Sequence, residues 1–159
     1  QVKAIRFGGL LHDIGKISID DAILRKPGKL TPEEYEQIKR HPEYGARIIQ
    51  AMRFANDVGP IIRHHHERWD GSGYPGGLTA EDIPIGARIV AIVDAYDAMM
   101  TDRPYRKSLG LDETLRRMRE GRGREWDPAL LDRFLTMVEN GTLVEPRVES
   151  TLSLAELAY

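Results

Sequence analysis

The sequence predicts an all-α fold, a helical bundle around one core, and three observations carry that expectation. Helix-start punctuation recurs along the chain, apolar residues repeat at helical spacing, and no run alternates long enough to build a sheet. With 159 residues, 41% of them hydrophobic and 30% charged, the chain can bury one real core and is too short to expect two.

Taken in order, residues 5–11 read as the end of a helix already under way, as in a piece of a longer protein. Residues 18–30, which carry Pro27-Gly28, read as a non-helical link. Thr31 then supplies an N-cap, Pro32 the first helical position and Glu34 the capping-box acid of a helix running to about Arg40. From Tyr44 the apolar residues Ile48, Ile49, Met52 and Ala55 recur at helical spacing, and Val58, Ile61, Ile62 and His65 continue it in the next segment. Five glycines and prolines within 70–78 demand a loop. Pro84 opens a further helix whose expected apolar stripe is Ile85, Ile89, Ile92, Val93, Tyr96 and Met100. Two more helices are expected, over about 111–119 and over Pro128–Glu139, the second capped by Asp127, with the glycine- and charge-rich residues 119–124 as connector. Periodicity weakens after Gly141, so residues 1–140 are read as the domain and 141–159 as a tail that packs as a last helix or frays.

Composition excludes several functions. There is no cysteine, which removes disulfide frameworks and thiolate metal sites. A net charge of −2 does not draw a polyanion to the whole surface, so double-stranded nucleic acid is not expected as a partner and any phosphate must be held locally. No apolar run approaches the roughly 20 residues of a membrane span, and no signal-peptide pattern opens the chain. The expectation is a cytoplasmic chain with no membrane span.

The histidines carry the chemistry. All five lie in three places: His12, His41 and the run His64-His65-His66. Carboxylates accompany them at Asp13 and, further on, at Asp94. These candidates fall on different helices or helix ends, as expected where a bundle builds a site from facing helices. His65 follows Ile61 by four residues and His66 follows Ile62 by four, so both continue a buried stripe. Imidazoles mixed with carboxylates suit iron, manganese, nickel or zinc. Two such metals about 3.5–4 Å apart activate a water and clamp a phosphodiester. The plainer readings stand beside this one. A lone histidine on an apolar stripe is ordinarily a hydrogen-bonded core residue, and His64 reads best as a solvated neighbour. Asp97 caps or pairs with an arginine, and Lys16 would by default sit on the surface.

The segment LHDIGK at residues 11–16 and HHERWDGSGYPGGL at residues 65–78 resemble the two signature motifs of the HD-GYP subgroup of the HD phosphohydrolase superfamily. The resemblance runs on through DAILRKPGKLTPEE, HPEYG, IPIGARIVAIVDAYDAM and TDRPYR to Trp126-Asp127-Pro128, covering most of the chain from Leu10 to about Leu135.

It implies a helical bundle of the HD phosphohydrolase type with the metal site between helices. His12, Asp13, His41, His65, His66 and Asp94 match the ligands of two or three divalent metals, iron or manganese first, with nickel or zinc as alternatives. Asp13 would bridge two of them, and Lys16 matches a lysine beside the scissile phosphate. Gly73, Tyr74 and Pro75 form the GYP triplet, whose loop lines the substrate site and contacts partner domains in such proteins. Tyr74 also reads as a packing residue, and the glycines as those of any tight loop. Arg103 and Arg106 match positions that hold the dinucleotide's phosphates; they read equally as exposed arginines in a turn. Glu67 and Asp70 are expected to orient ligand histidines. The family usually adds a ligand from a helix upstream of the HD pair, which the eleven residues before His12 do not contain.

The function implied is metal-dependent hydrolysis of cyclic di-GMP to pGpG or GMP in bacterial signalling. An upstream sensor or receiver domain, a GGDEF-type partner domain and a homodimer are the implied partners. Two alternatives stay open: a module that binds cyclic di-GMP or docks a partner without turnover, and an HD phosphohydrolase acting on another nucleotide.

Overall fold

The computed structural model describes residues 1–52, 57–102 and 107–143. Among them, eight α-helices follow one another: α1 Val2–Leu11, α2 Asp21–Leu24, α3 Pro32–Ile38, α4 His41–Ala51, α5 Val58–His64, α6 Ile85–Met100, α7 Leu111–Glu120 and α8 Pro128–Glu139. Short 3-10 turns lie at Ile14–Ser18 and Ala80–Asp82, and the described residues contain no strand beyond an isolated bridge between Arg122 and Trp126. The all-α expectation is met.

Local chemistry explains the element ends. Thr31 closes a full capping box with Glu34 at the start of α3, and Asp127 accepts the amides of Ala129 and Leu130 at the start of α8. The link at 18–30 is not free of helix: Asp20 accepts the Ala22 amide and starts the single turn α2. An Asp at the cap is sufficient to nucleate one turn, which the Pro-Gly pair then ends.

Two apolar clusters form the interior. Ala4, Ile49, Val58, Ile61, Ile62 and Val90 pack together from α1, α4, α5 and α6. Ile92, Leu115, Met118, Leu131 and Leu135 pack together from α6, α7 and α8. Helix α6 therefore belongs to both, and this corrects the predicted stripe. Ile85 and Val93 are exposed, while Gly86, Ala87, Val90 and Ile92 are buried. A helix covered on two sides does not bury the single face that periodicity selects. Met52, another stripe residue, is likewise exposed; Ala55 and the tail from 144 lie outside the described residues.

Close backbone approach joins the turn after α1 to α4. A Cβ on Gly15 would stand 1.9 Å from the His41 carbonyl oxygen and 2.4 Å from the Gly45 nitrogen, so only glycine fits there. That contact brings Asp13 against His41.

Candidate metal centre and adjoining cleft

His12 ends α1, His41 starts α4, His65 and His66 follow α5, and Asp94 lies midway along α6. The bundle brings all of them together with Asp13. Three of the four rings are oriented alike. The Nδ1–H of His12 donates to the Gly9 carbonyl, that of His41 to the Ile38 carbonyl and that of His65 to the Ile62 carbonyl, each at 2.7 Å. A carbonyl only accepts, so Nδ1 carries the proton and each Nε2 is turned toward the cluster.

The convergent atoms are close. His41 Nε2 lies 3.4 Å from His65 Nε2 and 3.3 Å from Asp13 Oδ1. His12 Nε2 lies 3.5 Å from Asp13 Oδ2 and 3.6 Å from Asp94 Oδ1. Two overlapping triads, His41–His65–His66 and His12–Asp13–His65, each hold their ligand atoms within 4.8 Å of one another. Each can hold a metal ion, and His65 belongs to both. Asp94 joins through His12.

Electrostatics prepare these groups as ligands. Burial pushes the His65 imidazole down to about 3 and His66 down to about 4, so both rings are neutral near pH 7. Burial would raise the Asp13 carboxyl, but the His41 ring and the Lys16 ammonium outweigh it and hold the group well below the usual carboxylate range. The contact with His12 lowers Asp94, and the same contact raises His12. The donor set fits a borderline divalent cation: imidazoles, of which His65 and His66 are held neutral by burial, ionised carboxylates, no thiolate. Lys16 Nζ lies 2.6 Å from Asp13 Oδ2, which keeps a cation at the edge of the cluster.

The GYP loop stands beside it. The Tyr74 ring stacks on His66 at 4.8 Å between centroids, and burial raises its phenol above the ordinary value. Gly73 is required by its neighbours, since a Cβ would stand 2.3 Å from the Arg68 nitrogen. Glu67 is buried and holds the loop, accepting the amides of Gly76 at 2.6 Å and Leu78 at 3.2 Å and facing His64 Nδ1 at 3.2 Å. This departs from the expected roles. Glu67 touches His64 and not a candidate ligand, Asp70 accepts from Ser72 within the loop, and His64 is half-buried against Glu67 and not solvated. In His12, His41 and His65 a backbone carbonyl already occupies the ring nitrogen that an acidic orienting partner would need. Among the described residues Asp97 meets no arginine; its Oδ1 accepts from the Thr101 hydroxyl.

An open cleft of about 460 Å³ extends from His65, His66 and Asp94, lined by Tyr74, Tyr35, Lys39 and Trp126 among others. Tyr35 and Lys39 were not singled out by the sequence reading. The signal was present, because four residues apart on α3 and at its C-cap they share one face. Arg103 and Arg106 lie outside the described residues.

The profile of the HD domain family matches residues 1–130. The chain belongs to the HD domain family. Among its relatives is a cyclic di-GMP phosphodiesterase response regulator of Xanthomonas campestris, 44% identical over 85% of this chain and 36% of the relative. Another is a 3'3'-cGAMP-specific phosphodiesterase of Vibrio cholerae, 41% identical over 85% of this chain and 26% of the relative. A solved cyclic GMP-AMP-specific phosphodiesterase of Vibrio cholerae shares the fold of this HD domain, with a TM-score of 0.67 at 19% identity over 87% of this chain and 38% of that one. This HD domain thus spans little more than a third of such relatives at most. None of its described helices is long and apolar enough to cross a membrane.

Proposed function

We propose that this HD domain is the catalytic part of a metal-dependent phosphodiesterase that opens a cyclic dinucleotide, cyclic di-GMP first, to pGpG or onward to GMP. The observation that carries the proposal is the convergence of His65 Nε2 and Asp13 Oδ1 on His41 Nε2, at 3.4 and 3.3 Å, with the other nitrogen of each ring tied to backbone. Two or three divalent metals, iron or manganese before nickel or zinc, would be held by His12, Asp13, His41, His65, His66 and Asp94, with His65 common to both triads. When bound, the metals supply Lewis acidity and an activated water for in-line attack at phosphorus.

The chain's own residues do the rest. The buried neutral rings offer lone pairs without first losing a proton. Asp13 sits between His12, His41 and Lys16, and the Lys16 ammonium offsets negative charge that develops on the phosphoryl oxygens. The GYP loop, pinned through Glu67, sets Tyr74 as a wall against His66 and shapes where the substrate enters. Arg103 and Arg106 are proposed to bind phosphate from the segment after α6. A sensor or receiver domain elsewhere in the parent protein and a GGDEF-type partner are proposed regulators.

The test is hydrolysis of cyclic di-GMP under anaerobic conditions with Mn²⁺ or Fe²⁺, products separated by chromatography, with Asp13→Ala as control. Turnover that vanishes in the control supports the enzyme. Binding without turnover, on this chain and on one extended upstream, would leave a receptor module instead. The Vibrio relative named for 3'3'-cGAMP supports running that dinucleotide in parallel, where a higher kcat/KM would move the substrate assignment.

A further inference from the structure

The geometry points to Lys39, held between the rings of Tyr35 and Tyr74, as a subsite for the second, non-reacting phosphate of a cyclic dinucleotide. This rests on the proposed function and extends it to a part of the site outside the metal cluster.

A cyclic dinucleotide carries two phosphodiester anions, of which only one can sit at the metal centre. The other needs a cation at a distance, with flat faces nearby for the bases. Lys39 Nζ lies 5.1 Å from the Tyr35 ring centroid and 5.7 Å from that of Tyr74, and Tyr74 in turn stacks on His66 at 4.8 Å. His66, Tyr74, the Lys39 ammonium and Tyr35 thus form a row, the cation lying between the last two rings, that leads from the metal cluster out along the cleft. Ring faces stabilise the ammonium where it stands and restrict its four-carbon stem.

The remaining charges along the cleft favour this residue. Among the described residues that line it, the cations are Lys39 and Arg68, and Arg68 is tied to Glu125 at 2.6 Å. Lys39 meets Glu36 at 2.6 Å, but Glu36 stands in solvent with 64% of its side chain exposed. An exposed pair of that kind contributes little, so the ammonium is free to leave it for a phosphodiester brought into the cleft. Tyr35, nearly half exposed at the cleft's outer end, leaves a ring face open for a purine.

Steady-state kinetics on Lys39→Met and Lys39→Arg test the assignment, with cyclic di-GMP and with bis(p-nitrophenyl) phosphate, a diester that has no second phosphate. Lys39→Met keeps the stem between the rings and removes the charge. The expected result is a rise of about tenfold in KM for cyclic di-GMP with kcat within about twofold. Activity on bis(p-nitrophenyl) phosphate should stay unchanged, and Lys39→Arg should recover most of the loss. An unchanged KM for cyclic di-GMP in Lys39→Met overturns the subsite and leaves the enzyme standing. Equal losses on both substrates also overturn it, because they would trace to displacement of His41, two residues on. A wild-type chain that cleaves only the small diester refutes the dinucleotide substrate, and the subsite with it.

Discussion

His41 and His65 face each other through their Nε2 atoms at 3.4 Å, while the Nδ1 of each is committed to a backbone carbonyl on its own preceding turn. Two lone pairs do not share that distance without a proton or a cation between them. Residue spacing alone does not show the approach, which comes from the packing of α4 against α5, whereas each tautomer is set locally by the carbonyl three residues before it.

The first prediction concerns metal and stability together. Mn²⁺ or Zn²⁺ added to the chelator-treated protein should raise its melting temperature, by the equivalent of about 2.7 kcal/mol at a hundredfold excess over Kd. His65→Ala should abolish most of that gain, since His65 belongs to both triads. Metal content by mass spectrometry and scanning calorimetry check it; a full shift in the variant would remove His65 from the ligand set.

A second prediction follows from the depressed histidines in the metal-free protein. With His65 held at about 3 and His66 at about 4, the native state resists protons that the unfolded chain takes up near the ordinary 6.5. Their contribution is fully present above 6.5 and is lost as pH falls toward 4 and then 3. His12 is raised and acts in the opposite sense, its contribution being present below 6.5 and lost as pH rises. Two groups outweigh one, so the urea midpoint in EDTA should fall between pH 6.5 and 4. In His66→Asn the slope should shrink by about 1 kcal/mol per pH unit; an unchanged slope would contradict the burial of that ring.

The third prediction separates the loop from the metals. Glu67→Ala strips acceptors from the amides of Gly76 and Leu78 and should cost about 1–3 kcal/mol for each amide left unpaired. Metal content should hold, because Glu67 meets His64 and no candidate ligand. Loss of metal in this variant would show that the loop and the cluster are one unit.

The fourth uses the buried pair of Arg88 and Asp127, 2.8 Å apart. Asp127 also caps α8. Asp127→Ala should therefore destabilise by about 3–5 kcal/mol, chiefly by leaving a buried guanidinium unpaired. Asp127→Asn keeps the cap and should fall short of that loss. Equal midpoints for the two variants in chemical denaturation would assign the whole effect to the lost charge pair and none to the cap.

Sequence alone determined the features that act over a few residues. Asp127-Pro128 and the capping box from Thr31 to Glu34 predict α8 and the start of α3 where they stand, because caps satisfy amides three residues away. The crowded glycines of 70–78 exclude a helix there, and the histidines and acids, spaced onto separate helices or helix ends, are legible as candidates for one site. Tertiary structure decided what depends on neighbours distant in the chain. It placed α6 between two clusters and so exposed Ile85 and Val93; it gave Glu67 to the loop amides; it set Lys39 between two rings. The physical reason is common to all three: burial and pairing are settled by which surfaces meet, and periodicity along one helix carries no record of the helix packed against it.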